Sequence, residues 1–273
     1  MKNNDLLYEL RGEKTLLEMT AKELKVAVEK ADIAVLSFGA IENHATHLPL
    51  SADTLQGTEL IRRTAAKLTQ KGLPAIAAFC VPYGVQTNRF ERGSEFMFGN
   101  VYLSQKTFIQ MVTELALSLV DTGFERLVFC VSHAENLAAL HVVAKDLGDL
   151  YNVPVIIADW IPPMNDEWPK FLKNAEHQGH GGEDETSCVM AVAPNLVCLD
   201  NLISYHPEED TNPVKMAGLH YYGGAVGIYT EVEEDKTPGY VGDPADATVE
   251  SGETCFELYS EWTSDVVCKY WKK

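Results

Sequence analysis

Basic residues are scarce in this chain. Among 273 residues, Lys and Arg number 22 against 40 Asp and Glu, which leaves a formal net charge of −18. Nucleic-acid-binding proteins use Lys and Arg to neutralise phosphates, and many membrane-surface proteins use polybasic segments. The composition therefore argues against a nucleic-acid partner and against a basic membrane-surface role, and it predicts a well-solvated acidic surface.

The chain also lacks long apolar runs and paired cysteines. No run approaches the roughly 20 apolar residues that a membrane span needs, and no apolar core of signal-peptide length follows the polar residues 1–5. None of the six cysteines forms a Cys-x-x-Cys pair, and Cys80 and Cys130 lie inside apolar runs, as buried small hydrophobic residues do. These absences predict a cytoplasmic protein in a reducing compartment, without a membrane partner.

Hydrophobic periodicity predicts strands that alternate with helices. The predicted strands span 32–38, 75–80, 127–131 and 155–158, and the predicted helices span 20–30, 54–71, 104–123, 136–150, 183–193 and 248–270. This alternation is typical of an α/β fold with a parallel, doubly wound sheet and right-handed crossovers. The length would allow one large or two small domains. Because no repeat, linker or break in composition occurs, we predict a single domain over residues 1–273.

Two of the predicted strands end at a carboxylate and an imidazole two residues apart. Glu42 and His44 follow the first strand, with Asp53 nine residues later, and His133 and Glu135 follow the third. In extended backbone, such pairs point to the same side. Zinc and manganese accept this mixture of ligands, and Asp53 could bridge two ions. Chance supplies about as many pairs at this spacing as the chain contains, so the hypothesis depends on their position at strand ends, where open α/β sheets build their sites.

A third polar stretch, HQGHGGEDETS, occupies residues 177–187. Its glycines allow a close approach of the backbone to a ligand. Its acidic residues fall at the start of a predicted helix, where negative charge is favourable. The stretch therefore fits either a functional loop or a helix that Glu183 or Asp184 merely caps.

Taken in order, four segments of the chain resemble the creatininase (creatinine amidohydrolase) family. The likeness spans roughly residues 32–270, and it is specific because all four segments occur in the family's order. The segments are GAIENH at 39–44 with HLP at 47–49 and Asp53; SHAEN at 132–136; HGGEDETS at 180–187; and GDP at 242–244 with Ala247, Thr248 and Gly252.

The resemblance implies a three-layer αβα fold with a mostly parallel central sheet, a two-metal centre and a homohexamer. It implies zinc or manganese as the ions, with iron also compatible with mixed nitrogen and oxygen ligands. The implied ligands are Glu42, Asp53 and His133 for one ion, and His44, Asp53 and Glu135 for the other, with Asp53 as the bridge. His180 is implied to face the substrate near the bridging water, and Trp160 stands where creatininase has a substrate-loop tryptophan.

Several positions depart from the pattern of creatininase itself. Creatininase has an aromatic residue shortly before the equivalent of His180, whereas this chain has none there. Creatininase also has a Tyr between the second metal-binding His and Glu, where this chain has Ala134. Asn43 stands where Gln is usual, Ala45 where Gly is usual, and Ser132 where Gly is common. None of these changes removes a predicted ligand, but they argue against creatinine as the substrate.

The resemblance implies a metal-dependent amidohydrolase that cleaves a non-peptide C–N bond of a small cyclic or linear amide. Glu135 or a neighbouring acid would accept a proton, while His180 would donate one to the leaving nitrogen. Glu183 occurs in several family members that act on other amides, including formamido-pyrimidines, and is expected to contact the substrate with His180 and Trp160. The alternative is a non-catalytic small-molecule binding protein on the same scaffold. Nucleotide binding is disfavoured, because no Gly-x-Gly-x-x-Gly follows a strand and no Walker sequence occurs.

Overall fold

The computed structural model of the protein describes residues 12–86, 97–159, 161–173, 178–202, 239–240 and 242–272. Trp160 and most of the segment 201–247 lie outside the described residues. The strands are β1 (Ile33–Phe38), β2 (Ala75–Val81), β3 (Arg126–Val131) and β4 (Val155–Ala158). The helices are α1 (Ala21–Val28), α2 (Ala52–Gln70), α3 (Gln105–Thr122), α4 (Leu137–Tyr151), α5 (Ile161–Met164), α6 (Glu183–Val192) and α7 (Val249–Trp271). Within these described ranges, no helix combines the length and the apolarity needed to cross a membrane.

The four strands form one parallel sheet in the order β2-β1-β3-β4. In its register, Ile33 of β1 lies beside Ala75 of β2 on one side and Arg126 of β3 on the other. The winding direction reverses between β1 and β3, so the carboxyl ends of these two central strands border the topological switch point. In open α/β sheets, ligands bind in the crevice at that point.

Helices cover both faces of the sheet, and the alternation of side chains along β1 explains why. Ile33 and Val35 point to the face that α2, α6 and α7 cover, whereas Ala34, Leu36 and Phe38 point to the face that α3 and α4 cover. All six residues of β1 are buried, as a strand between two helical layers requires. The predicted three-layer αβα architecture is confirmed. The single-domain organisation over residues 1–273 stays a prediction.

Side-chain caps mark the ends of several helices, and the observed ends lie within a few residues of the predicted ones. Thr20 forms the predicted capping box with Glu23 at the start of α1, and Ser104 accepts a hydrogen bond from the Thr107 N–H at the start of α3. Gly123, with a φ of 123°, ends α3. The informative difference is α2, which begins at Ala52, two residues before the predicted start. Asp53 therefore lies in a first helical turn, where negative charge is favourable, and not in the preceding loop.

A glycine in α2 lets this helix approach the ends of the central strands. A Cβ atom on Gly57 would lie 2.5 Å from the Oγ atoms of both Ser37 and Ser132 and 2.8 Å from the Cys80 Sγ atom. A larger residue there would require these side chains or the helix to shift. Since Asp53 lies one turn earlier in the helix, this close packing carries its carboxylate to the carboxyl ends of β1 and β3.

Candidate metal centre

Four polar side chains converge in the crevice beyond β1 and β3. Glu42 and His44 come from the loop after β1, Asp53 from the first turn of α2, and His133 from the residues that follow β3. Their exposed fractions are only 1% to 8%. Buried ionisable groups are rare unless they are paired or bind a metal, so the pairing of each atom decides what this cluster does.

Glu42, Asp53 and His133 form the first group with ligand atoms close enough to share one ion. The His133 Nδ1 atom lies 3.1 Å from Glu42 Oε2 and 3.1 Å from Asp53 Oδ2. The other ring nitrogen, Nε2, lies 2.8 Å from the Val85 carbonyl oxygen, to which it must donate. When the imidazole is neutral, the Nδ1 atom therefore carries a lone pair, and this lone pair faces two carboxylates. Only a cation, either a metal ion or a second ring proton, resolves this arrangement.

His44, Asp53 and Glu185 form a second group of the same kind. The His44 Nε2 atom lies 3.2 Å from Asp53 Oδ1 and 3.3 Å from Glu185 Oε2. The His44 Nδ1 atom lies 3.1 Å from the backbone oxygen of Glu42 and donates to it, which again leaves an imidazole lone pair opposite two carboxylates. Asp53 belongs to both groups through different oxygens, Oδ1 here and Oδ2 in the first group.

The ionisation of the cluster shows the same demand for positive charge. Burial by itself lowers the pKa of His44, but the carboxylates of Asp53 and Glu185 outweigh it and hold that pKa well above its usual value. Glu42 and Asp53 likewise outweigh burial and raise the pKa of His133. Burial raises the pKa of the Glu42 and Asp53 carboxyls, yet the neighbouring imidazoles bring both below their usual range. Without metal, ring protons thus supply the cationic charge that the carboxylates require.

A chain of amides holds the Glu42 carboxylate in place. The Gln86 Nε2 atom donates to Glu42 Oε1 at 3.0 Å, and the Asn100 Nδ2 atom donates to Gln86 Oε1 at 3.2 Å. Asn100 also accepts a hydrogen bond from the Asn43 N–H at 2.6 Å, which ties this chain to the loop after β1. Such outer contacts orient ligands and are part of how a metal site is built.

His180 lies on the solvent side of the cluster, and its expected place beside the substrate stays a prediction. Its ring stacks on that of His44 with 4.3 Å between ring centroids, and its side chain is 36% exposed. The His180 Nε2 atom lies 2.8 Å from the Asn43 carbonyl oxygen and donates to it, while Nδ1 lies 3.7 Å from Glu42 Oε2. The nitrogen that faces the carboxylates is therefore Nδ1.

Glu135 does not join any of the potential metal-binding groups among the described residues. The sequence-based expectation assumed extended backbone from His133 to Glu135, but a 3-10 turn spans Ala134–Asn136. In a turn, residues two apart do not point to the same side. Glu135 is half-buried beside His133, and its roles as ligand and proton acceptor stay predictions.

Glu183 and Trp160 are the other two residues that are predicted to contact the substrate. Glu183 is buried, and its two carboxylate oxygens lie 3.1 and 3.0 Å from the Lys173 backbone nitrogen, which donates to them. This position favours an anchor for the chain before α6 over a substrate contact, and the substrate role stays a prediction. Trp160 lies outside the described residues, so its role also stays a prediction.

Glu185 is the member of the cluster that sequence reasoning missed. It sits in the first turn of α6, and its Oε2 atom accepts a hydrogen bond from the Gly181 N–H at 2.8 Å. The sequence offers one signal for this role, which is the run of three acidic residues at the start of the helix. Only one acidic residue is needed to cap a helix, so the others can serve another function.

This fold and this cluster define a class of protein: a three-layer αβα protein with a buried carboxylate–imidazole site at the switch point of a parallel sheet. The family model for creatininase (creatinine amidohydrolase) matches residues 17–267. The chain belongs to the creatininase family and is a hydrolase of that family, which confirms the resemblance found in the sequence.

Relatives within the family carry different names. The chain is 24% identical to a creatinine amidohydrolase of Pseudomonas putida over 268 residues, which covers 92% of this chain and 94% of the relative. It is 22% identical to a 3-dehydro-scyllo-inosose hydrolase of Thermotoga maritima, with 70% of this chain and 60% of the relative covered. It is 25% identical to a mycofactocin precursor peptide peptidase of Mycolicibacterium smegmatis, with 82% and 79% covered.

Solved structures of creatininase share the fold. A manganese creatininase superposes with a TM-score of 0.70 at 22% identity, with 95% of this chain and all of that chain covered. A mutant creatininase of zinc–zinc type superposes with a TM-score of 0.69 at 22% identity, with 96% of this chain and all of that chain covered. At this identity the likeness establishes the fold, and the site must be argued from the residues of this chain.

Proposed function

We propose that this protein is a two-metal amidohydrolase that cleaves a C–N bond of a small cyclic or linear amide other than a peptide. The observation that supports this function is the pair of ligand groups that share Asp53. One is Glu42, Asp53 and His133, and the other is His44, Asp53 and Glu185. The second group replaces Glu135, the ligand expected from the sequence, with Glu185.

The donor set fits two divalent cations. With both imidazoles neutral, the cluster holds three carboxylates and two nitrogen lone pairs that face them. When His133 is neutral, the buried Asp53 Oδ2 atom faces the Nδ1 lone pair of this ring and accepts no hydrogen bond from a described residue. Zinc and manganese suit mixed nitrogen and oxygen ligands, and creatininases of the same fold occur in manganese and zinc–zinc forms. When bound, such ions lower the pKa of a shared water and polarise a substrate carbonyl.

His180 is the residue that we assign to proton transfer. Because its Nε2 atom donates to the Asn43 carbonyl oxygen, its Nδ1 atom is left to hold or release a proton toward the cluster. Stacking on His44 keeps this ring beside the second ligand group, and the exposed part of the ring can reach a substrate. Nδ1 would donate its proton to the leaving nitrogen, and Glu135 stays the predicted proton acceptor.

The substrate class is inferred from the family and narrowed by the sequence. Relatives are named for creatinine, for an inosose and for a precursor peptide, so the scaffold serves several substrates. Ala134 and the non-aromatic residues before His180 argue against creatinine. We therefore favour another small amide. The homohexamer and the cytoplasmic location stay predictions.

Metal analysis and a substrate panel test this function together. Protein purified without chelator should hold about two divalent ions per chain, as a two-metal site requires. Metal-depleted protein, reloaded with zinc or manganese, should then be assayed against cyclic ureides, lactams, formamides and creatinine. Fewer than one ion per chain, with no hydrolysis restored by either metal, would reject the proposal. Full metal loading with ligand binding but no turnover across the panel would favour the non-catalytic alternative.

A further inference from the structure

His47 lies next to the proposed metal centre but belongs to neither ligand group. It follows His44 by three residues, and only 1% of its surface is exposed. Its Nε2 atom lies 3.1 Å from the Gly181 carbonyl oxygen and 3.0 Å from the Thr186 Oγ1 atom. The edge of its ring packs against Tyr240, with 5.5 Å between ring centroids. The loop after β1 thus reaches the glycine turn that precedes α6.

The surroundings of His47 determine its tautomer. A carbonyl oxygen only accepts hydrogen bonds, so the Nε2 atom must carry the ring proton and donate toward Gly181. The Nδ1 atom is buried and has no hydrogen-bond partner among the residues that the structure describes. Burial lowers the pKa of His47 to about 4, and the nearby His44 and His180 add to this effect. The ring is therefore a neutral hydrogen-bond donor at physiological pH.

Gly181, whose carbonyl His47 contacts, is held at both of its backbone polar groups. The Gly181 N–H donates to Glu185 Oε2 at 2.8 Å, while its carbonyl oxygen accepts from His47 and from the Thr186 hydroxyl. Gly181 has a φ of +62°, and a Cβ atom there would lie 2.8 Å from Tyr240 Cβ. The turn therefore has little room to shift, provided that its carbonyl is held.

We propose that His47 is a positioning residue for the Glu185 side of this centre. Its hydrogen bond to the Gly181 carbonyl orients the turn that carries His180 and that donates its N–H to Glu185. The inference rests on the proposed metal-dependent function, and it adds a residue that touches neither the ions nor the substrate. If the backbone of Gly181 turns, its N–H leaves the Glu185 Oε2 atom, and the carboxylate loses a contact that directs it toward His44.

Two substitutions separate the hydrogen bond from the packing of the ring. His47→Gln can place an amide N–H close to the original Nε2 position, whereas His47→Leu fills the space and donates nothing. Metal-depleted protein is titrated with Co²⁺, whose absorption spectrum reports the ligands of each ion. We expect His47→Leu to weaken the binding of one of the two ions by about 10- to 100-fold, the usual effect of losing a contact behind a ligand. His47→Gln should stay close to the wild type.

A second measurement follows the turn itself in the metal-free protein. Hydrogen–deuterium exchange of the backbone amides at 179–186 should be faster in His47→Leu than in the wild type and restored in His47→Gln. His141→Leu, on the exposed side of α4, is the control for removing a histidine and should change neither measurement. Thermal melts confirm that each variant is folded.

The outcomes distinguish this inference from the proposed function. Two ions bound with wild-type affinity and unchanged exchange in His47→Leu would overturn the positioning role, as would a Gln variant as defective as the Leu variant. A wild-type protein that binds no Co²⁺ would reject the metal-dependent function. Altered exchange in that same experiment would still support the role of His47 in holding the turn.

Discussion

Helix α2 carries charged side chains in two contrasting settings. In its first turn, the buried Asp53 faces the ring nitrogens of His44 and His133. Further along, basic residues at intervals of four form an ion-pair ladder with acidic residues of α7. The pairs of this ladder are Arg63 with Glu253, Lys67 with Glu257 and Glu261, and Lys71 with Glu261 and Asp265.

The two regions differ in whether the protein satisfies its own charges. In the ladder, each cation has an anion at 2.6 to 2.8 Å, and the acidic partners are largely exposed to water. Such exposed pairs contribute about 0.2–1 kcal/mol each. At Asp53, the imidazoles satisfy the buried carboxylates only when they carry an additional cation, which is either a ring proton or a metal ion. Charge that is buried and unmatched indicates a ligand site, whereas charge that is exposed and matched indicates only a modest stabilisation.

The largest effect is expected at Asp53, since it belongs to two of the three groups that could hold an ion, the third being Glu42, His44 and His180. Asp53→Ala should abolish the binding of the pair of ions, because the two groups that share this carboxylate both lose it. Elemental analysis after dialysis against excess zinc measures this. Asp149→Ala, at an exposed aspartate of α4, is the matched control and should keep both ions. Retention of both ions by Asp53→Ala would reject the bridging role.

A comparison of Glu185 with Glu135 sharpens the assignment of the second ion. Glu185→Gln should lower the zinc content from two ions to one, because the amide removes a charged ligand opposite His44. Glu135→Gln should keep both ions and affect only turnover. The opposite result, with one ion lost from the Glu135 variant and none from the Glu185 variant, would restore the ligand set expected from the sequence.

Acid should weaken metal binding, because the cation competes with ring protons. The carboxylates around His44 and His133 raise the pKa of both rings in the metal-free fold, which favours ring protons that must leave before the nitrogens can bind metal. Zinc affinity should rise about tenfold per pH unit for each proton released. The same shifts stabilise the metal-free fold below pH about 6.5, the unfolded value, and this stability is lost as pH rises through the raised pKa values. Zinc titrations at several pH values measure the affinity, and thermal melts of the metal-free protein measure its stability. A zinc affinity that does not change with pH would contradict the prediction.

The close packing behind Asp53 should be sensitive to a single methyl group. Gly57→Ala should destabilise the protein by about 1–3 kcal/mol, the cost of overpacking, because the Cβ atom collides with Ser37 and Ser132. It should also weaken metal binding if α2 shifts to relieve the collision, because Asp53 would move with the helix. Gly148→Ala in α4 is the matched control: no atom lies within 4 Å of its Cβ position, and we expect a gain of about 0.5–1 kcal/mol. Urea denaturation measures both variants, and equal effects would show that the close packing at Gly57 does not stabilise the fold.

The smallest effect is expected in the ladder. Glu257 is 62% exposed and pairs with Lys67, which keeps a second partner in Glu261. Glu257→Gln should change the unfolding free energy by less than about 1 kcal/mol and leave metal content unchanged. Urea denaturation measures this change, and the difference between the variant and the wild type should be still smaller at high salt. A loss of metal in this variant would mean that the two charged regions of α2 are coupled.

Much of the fold and part of the site could be predicted because they depend on local pattern. The strands and helices follow from apolar periodicity and caps, and their observed ends differ from the predicted ones by a few residues. Glu42, His44, Asp53 and His133 could be proposed together because the ends of parallel strands meet at one edge of a sheet. The place of Glu185 in the cluster could not be predicted, because the directions of Glu135 and Glu185 depend on turn geometry after His133 and on where α6 packs.

By itself, the sequence determined which segments are strands and helices, which faces are buried, and that carboxylates and imidazoles follow the two central strands. These properties come from interactions between residues close in the chain and from the need to bury apolar surface. Only the tertiary structure brought the Glu185 carboxylate within 3.3 Å of the His44 Nε2 atom, and the His47 ring within 3.1 Å of the Gly181 carbonyl oxygen. Both outcomes depend on distances of a few ångströms between segments more than 100 residues apart, which close packing of α2, α6 and the sheet sets and local sequence does not encode.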